Sequence, residues 1–249
     1  MAWLRSAVSM LALWDTDAQS TDPAIQRKVA IRLVAKMGSL VTLFSRNRDG
    51  KEFVQPKKDK SLGWNFMYQL KGEEPSEQMA KVFDTCLILH ADHELNCSAF
   101  AARVTSSSLS DIYSSVTSAV CALKGPLHGG AKEQVMLMLK EIGNMNAARE
   151  WIKEALAGKK KVMGFGHRVY KNGDPRAKIL SQLSESVGKQ VGQPQWYEMS
   201  KAIDDVMQND KKLLPNVDFY SASLYYCMGI PIDIYTPIFA VSRVSGWLA

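Results

Sequence analysis

Residues 217–228 read VDFYSASLYYCM, and the fold class turns on them. Their side chains alternate as a strand's would, but Leu224, Cys227 and Met228 also fit one helical face. The flanking segments decide between the two. Upstream, Ile179, Leu183 and Val187 mark one helical stripe, Trp196, Met199, Ile203 and Met207 mark the next, and Pro215 ends the connection after it. Downstream, Pro237 opens a run in which Ile238, Val241, Val244 and Leu248 recur at helical spacing. With helices on both sides, 217–228 is read as a helix and the chain as all-α.

The same period reaches back to the first residues, where Leu4, Val8 and Leu11 repeat without a capping residue before them. Thr21, Asp22 and Pro23 then form a strong helix start, followed by the stripe Ile25, Val29, Leu33, Met37, Leu40 and Phe44 up to an Asp49-Gly50 turn. A lysine-rich connection leads to a short helix, Leu62 to Leu70, that Gly72 ends. Pro75-Ser76 opens another, with Met79, Val82, Phe83, Cys86, Leu87 and His90 on one face. Further apolar helical segments follow at 99–104, 112–123, 135–142 and 147–156, and Gly125-Pro126 stops the second of these. There are no repeats and no low-complexity stretch.

At 249 residues and 46% hydrophobic content the chain has ample material for a packed core. Its formal charge of +6 is spread over helical faces apart from runs at 57–60 and 159–161. Without exposed aromatics interleaved among the basic residues, or a recognisable nucleic-acid module, that charge fits anionic metabolites and not nucleic acid. The four cysteines, Cys86, Cys97, Cys121 and Cys227, lie in apolar helical runs with no CxxC pair, as buried thiols in a reducing compartment would. No stretch approaches the roughly 18 apolar residues of a spanning helix, and no signal-peptide plan opens the chain. A soluble, cytoplasmic protein with no membrane partner is expected.

Chemistry concentrates at breaks in the helical pattern. The segment KKKVMGFGHRVYKNGDPRAK, 159–178, presents His167 at a glycine-flanked bend, and Asp174-Pro175 opens a helix with Arg176 in its first turn. An imidazole and a guanidinium rimmed by Lys159, Lys160, Lys161, Arg168 and Lys171 suit an anionic substrate with a reacting carbonyl. The other histidines, His90, His93 and His128, also stand at breaks beside Gly, Pro or acidic residues. His90-x-x-His93 with Asp92 and Glu94 is compatible with a metal cluster, but the HExxH order and a second ligand pair are missing, so no metal site is expected. Asp218 heads the 217–228 helix and is either its N-terminal cap or, facing a pocket, a general base.

HADHELN at 90–96, GPLHGGA at 125–131, MGFGHRVYKNGDPRA at 163–177, NVDFYS at 216–221 and PIFAVSRVSGW at 237–247 together resemble citrate synthase, in family order and over essentially the whole chain. The resemblance implies a homodimeric acyltransferase of the tricarboxylic acid cycle that condenses acetyl-CoA with oxaloacetate and water to citrate and CoA. 2-Methylcitrate synthase, acting on propionyl-CoA, is the alternative within the same fold. A non-catalytic helical module that merely binds an anion is the alternative outside it.

By motif position the resemblance makes His128 the donor to the thioester carbonyl, His167 the group that polarises the oxaloacetate ketone, and Asp218 the base. His93, Arg176 and Arg243 match oxaloacetate-binding positions. Lys171 falls where a basic residue meets CoA phosphates, and Met163, Gly164, Phe165 and Gly166 match the loop against its adenine. No cofactor is implied. The implied division is a large domain over 1–130, a small mobile domain over 131–222 and a return to the large domain over 223–249. Lys132 stands where the family usually has Asn, Ala222 replaces a common glycine, and Cys97 and Ala99 alter the usual NAST; Lys132 is expected to bear on His128. The family's leading helices and carboxyl-terminal arm, which carries a further arginine, have no counterpart here. Both ends are therefore expected to be cut inside apolar helices, and the chain alone to show little or no synthase activity.

Overall fold

The computed structural model describes residues 1–125 and 128–249; Pro126 and Leu127, in the Gly125-Pro126 stop and the GPLHGGA motif, lie outside the described residues. The chain is all-α. The first helices are α1 (Ala2–Leu11), α2 (Pro23–Arg48), α3 (Leu62–Lys71), α4 (Glu77–His90), α5 (Cys97–Ser106) and α6 (Ile112–Leu123). They are followed by α7 (Ala131–Ile142), α8 (Met145–Ala157), α9 (Pro175–Gln190), α10 (Gln195–Val206), α11 (Val217–Cys227) and α12 (Tyr235–Leu248). Among the described residues the only extended pairing is an isolated antiparallel bridge between Phe165 and Pro215.

Two compact units divide the chain: 1–129 with 236–249, and 130–235. The sequence reading returned the chain to its first domain at 223, which falls inside α11. That helix belongs whole to the second unit, because it is the axis on which α7, α9 and α10 pack.

In the first unit, Val29, Leu33, Met37 and Val41 bury one stripe of α2, against which α3 and α6 pack. Asp22 caps α2 by accepting from the amides of Ala24 and Ile25, with Pro23 at the first helical position. A half-buried junction ties the unit together, since Asp15 accepts from Arg32 Nη2 at 2.7 Å and from the Tyr113 hydroxyl at 2.5 Å.

In the second unit, α11 buries nine of its eleven residues, so it has no solvent face and no polar stripe. This is why its sequence alternates ambiguously. Small residues on it allow close approach, and the Ser184 and Ser223 hydroxyls meet at 2.8 Å between α9 and α11. Asp218 is not the cap of this helix. Asn216 is, its Oδ1 accepting from the Asp218 amide at 3.0 Å, which leaves the Asp218 carboxylate with other work. A turn of π-helix at Met207–Lys211, which the periodicity did not announce, ends α10 and delivers the chain to Leu213–Pro215.

Candidate active site

In the first unit the catalytic candidates gather around the start of α5 and the end of α12. Asn96 caps α5, accepting from the amides of Ser98 and Ala99 at 3.1 Å each. The next feature is His128, whose Nε2 lies 2.9 Å from Ser98 Oγ and receives the Ser98 amide N–H at 3.3 Å. A ring nitrogen that accepts from an N–H carries a lone pair, so the neutral ring holds its proton on Nδ1. Trp247 Nε1 donates to Ser98 Oγ at 3.0 Å and fixes the hydroxyl in place. Burial lowers the His128 pKa, and the positive charge of Arg243 lowers it further, so the neutral form is favoured. The imidazole is thus a neutral donor through Nδ1.

Arg243 is 2% exposed on α12, with Nε donating to the His90 carbonyl at 2.8 Å and the guanidinium 4.8 Å from the Phe239 ring centroid. His93 is half-buried in the connection between α4 and α5. Gly246 allows that connection to touch α12, its amide donating to Ala91 O at 3.1 Å. A Cβ on Gly246 would sit 2.6 Å from that oxygen and from Asp92 Oδ1. His90 is a packing residue, buried with Nδ1 2.8 Å from Cys86 O and its ring edge-on to Phe239. Among the described residues no three His, Cys, Asp or Glu side chains come together as a metal-binding group.

In the second unit the 163–170 segment is pinned to the entry of α11. Gly166 N donates to Leu214 O and Asn216 N to Gly164 O, both at 2.9 Å, and Asn216 Nδ2 donates to Gly166 O at 3.1 Å. The Phe165 ring packs tilted against Phe219, with centroids 4.4 Å apart. Gly164 has φ +85°, and a Cβ there would lie 2.9 Å from both Phe219 Cδ2 and Val135 Cγ2. His167 leaves this segment half-buried, with Nδ1 accepting from the amides of Val169 at 3.0 Å and Tyr170 at 3.2 Å. Its neutral ring therefore carries the proton on Nε2, the opposite tautomer from His128. Met163 is half-buried, whereas Lys171 is exposed.

Arg176 is already engaged. Asp174, the buried N-cap of α9, accepts from Arg176 Nε at 2.9 Å and Nη2 at 2.7 Å, and from the Val217 amide at 3.1 Å. Burial raises the Asp174 pKa, but the hydrogen bonds and charge of Arg176 outweigh it and hold the carboxyl below its usual range. One edge of the guanidinium, Nε with Nη2, is thus occupied by Asp174, and Nη1 takes no part in that pair. Asp218 stands in the first turn of α11 with Oδ1 4.0 Å from Lys132 Nζ. Within the second unit Lys132 Nζ also lies 4.6 Å from the centroid of the Tyr225 ring.

Ser98, Trp247 and the salt-bridging role of Asp174 were missed in the sequence. The first two sit within quoted or neighbouring motif stretches, but nothing in their spacing reveals a link to a histidine 30 residues away or to a serine 149 away.

An all-helical chain carrying a carboxylate, two imidazoles and arginines in these settings fits an enzyme that transfers an acyl group to a carbon acceptor. The profile of the family described as citrate synthase, C-terminal domain, matches residues 1–249. Citrate synthase 2 of Bacillus subtilis is 55% identical over 249 residues, covering all of this chain and 67% of its own length. 2-Methylcitrate synthase 1 of Corynebacterium glutamicum is 39% identical over 251 residues, covering 99% of this chain and 66% of its own. Citrate synthase from Pyrobaculum aerophilum superposes with a TM-score of 0.92 at 42% identity, over 98% of this chain and 65% of that one. The ternary complex of carboxymethyl coenzyme A and oxaloacetate with citrate synthase from Thermoplasma acidophilum gives a TM-score of 0.91 at 34% identity, over 99% and 66%. The chain belongs to the citrate synthase family. It spans about two thirds of the length of these relatives.

Proposed function

We propose that this chain carries the citrate synthase condensation, joining acetyl-CoA to oxaloacetate and hydrolysing the resulting thioester to citrate and CoA. The observation that carries the reading is the pair of imidazoles that accept backbone N–H groups on opposite ring nitrogens, His128 at Nε2 and His167 at Nδ1, which leaves each neutral ring its proton on the other nitrogen.

The thioester methyl is a very weak acid. Asp218 takes its proton while His128 Nδ1–H stabilises the charge that develops on the thioester oxygen. The enol carbon then attacks the ketone of oxaloacetate, whose oxygen receives a hydrogen bond from His167 Nε2–H. Arg176, Arg243 and His93 hold the carboxylates and so select the attacked face. Lys171 meets the CoA phosphates, and Met163 to Gly166 support its adenine. As the C–C bond forms, the ketone oxygen takes the His167 Nε2 proton; water then adds at the thioester carbonyl and CoA leaves as the thiol, and none of these steps calls on a metal or redox cofactor in the proposal. Each acid or base contributes roughly 10²- to 10⁴-fold. A homodimer in the cytoplasm, feeding the tricarboxylic acid cycle, belongs to the same proposal. Its support is the family likeness.

The test is CoA release from acetyl-CoA and from propionyl-CoA with oxaloacetate, by this chain and by one extended to the relatives' length. Acetyl-CoA is expected to have the higher kcat/KM. Preference for propionyl-CoA would mean a 2-methylcitrate synthase, the difference being one methylene worth about 1 to 3 kcal/mol. Asp218→Ala is expected to lower turnover by at least about 100-fold with oxaloacetate binding retained. Unchanged turnover would remove Asp218 from the mechanism, and oxaloacetate binding without turnover in either chain would favour a plain anion-binding module.

A further inference from the structure

Lys132 is 1% exposed, although lysine is the side chain least suited to full burial. Helix energetics do not account for its position. It lies in the first turn of α7, the end of the helix dipole that repels a cation. What surrounds it favours the charged form: Asp218 Oδ1 at 4.0 Å and the Tyr225 ring with its centroid 4.6 Å from Nζ, within the range of a cation–π contact. Both partners are on α11, one on its first turn and the other two turns further along.

We propose that the buried ammonium of Lys132 is a positioning residue that holds the Asp218 carboxylate ionised and oriented. Its use in turnover rests on the reading of Asp218 as the base. The distance matters to the chemistry. At 4.0 Å the ammonium lies beyond the usual 2.7–3.2 Å of an N–H···O bond, so its field favours the anion without tying up an Oδ1 lone pair. A carboxylate held in this way is ready to form the O–H bond as the C–H bond of the carbon acid breaks and its electron pair passes into the enolate.

The charges that other elements bring to α11 are otherwise engaged. At the start of α9, Asp174 pairs with Arg176 and accepts from the Val217 amide. From α10, Asp204 accepts from the Tyr220 hydroxyl at 2.6 Å and from Gln208 Nε2 at 2.8 Å. On α7, the neighbouring Glu133 acts on Tyr235. The N-terminal dipole of α11 itself also favours an ionised Asp218, so the test must separate the lysine from the helix.

Lys132→Met removes the charge with little change of volume, and Lys132→Arg keeps it. With aspartate carboxyl carbons labelled and the Asp218 resonance assigned from its absence in Asp218→Asn, the titration of Asp218 is followed by NMR in each form. An opposite charge within about 4–6 Å lowers a carboxyl pKa by about one to three. The Met variant is therefore expected to titrate about one pH unit or more higher than the parent, and the Arg variant within about half a unit of it. A folded Met variant whose Asp218 titrates as in the parent overturns the proposal. If the Met variant does not fold, Lys132→Gln, neutral and polar, takes its place with the same criterion. The acid limb of kcat/KM separates the two readings. If it moves with the NMR titration, both hold. If the titration moves and the limb does not, the lysine sets the ionisation of Asp218 and the base is another group.

Discussion

Arg176 illustrates what a single residue's neighbours add to its motif. Its place nine positions after His167 was legible in the sequence, and so was Asp174 as a helix cap. That the same aspartate grips the guanidinium through both oxygens was not, because a cap and a salt bridge draw on the same residue type. Two consequences follow for substitution. Asp174→Ala leaves a buried guanidinium edge and the Val217 amide without their acceptor, and is expected to lower stability by about 3 to 5 kcal/mol in urea titrations. A loss under about 1 kcal/mol would mean that the pair is not structural. Arg176→Lys replaces a planar fork by a point donor, so it is expected both to lower the melting temperature and to weaken oxaloacetate at least about 10-fold. Oxaloacetate KM within a factor of about two of the parent would show that the free edge of Arg176 does not meet a carboxylate.

At the scale of elements, long amphipathic helices with paired caps were legible, as Asp22-Pro23 before α2 and Ser76 before α4 demonstrate. The buried α11 was harder, because a helix surrounded by others shows no stripe and its polar positions are filled by Ser221 and Ser223 inside the core. The π turn ending α10 has no sequence period of its own. The loop that presents His167 was recognised from its glycines, but the reason for Gly164 lies in the packing of Phe219 and Val135 against it. Gly164→Ala combines a positive φ with two contacts of 2.9 Å, whereas Gly192→Ala combines φ +70° with open space. The first is expected to lower stability by at least about 2 kcal/mol and the second by only about 1, both read from urea midpoints. Equal losses at the two sites would show that backbone strain alone, and not close approach of α7 and α11, fixes this loop.

For the whole molecule, the ionisable groups predict an acid response that differs between the two units. His128, in the first unit, has a folded pKa below the 6.5 of a free imidazole, because burial and Arg243 disfavour the cation. As pH falls through 6.5 the unfolded chain takes up a proton that the folded unit does not, so stability declines until the folded pKa is passed. Asp174 in the second unit and Asp15 in the first have folded pKa values below 3.8. Their contribution is fully present above 3.8 and is lost as pH falls through the folded values. Between about pH 7.5 and 5.5, therefore, His128 should cost the first unit protection against hydrogen exchange, after correction for intrinsic rates, a loss that Asp174 does not impose on the second. His128→Gln, which removes the titrating group, should flatten that difference even if it lowers the starting stability. A parent and a His128→Gln variant whose first units lose protection equally over this range would show that another group controls the acid response, and the assignment of His128 as a neutral donor would lose its thermodynamic support.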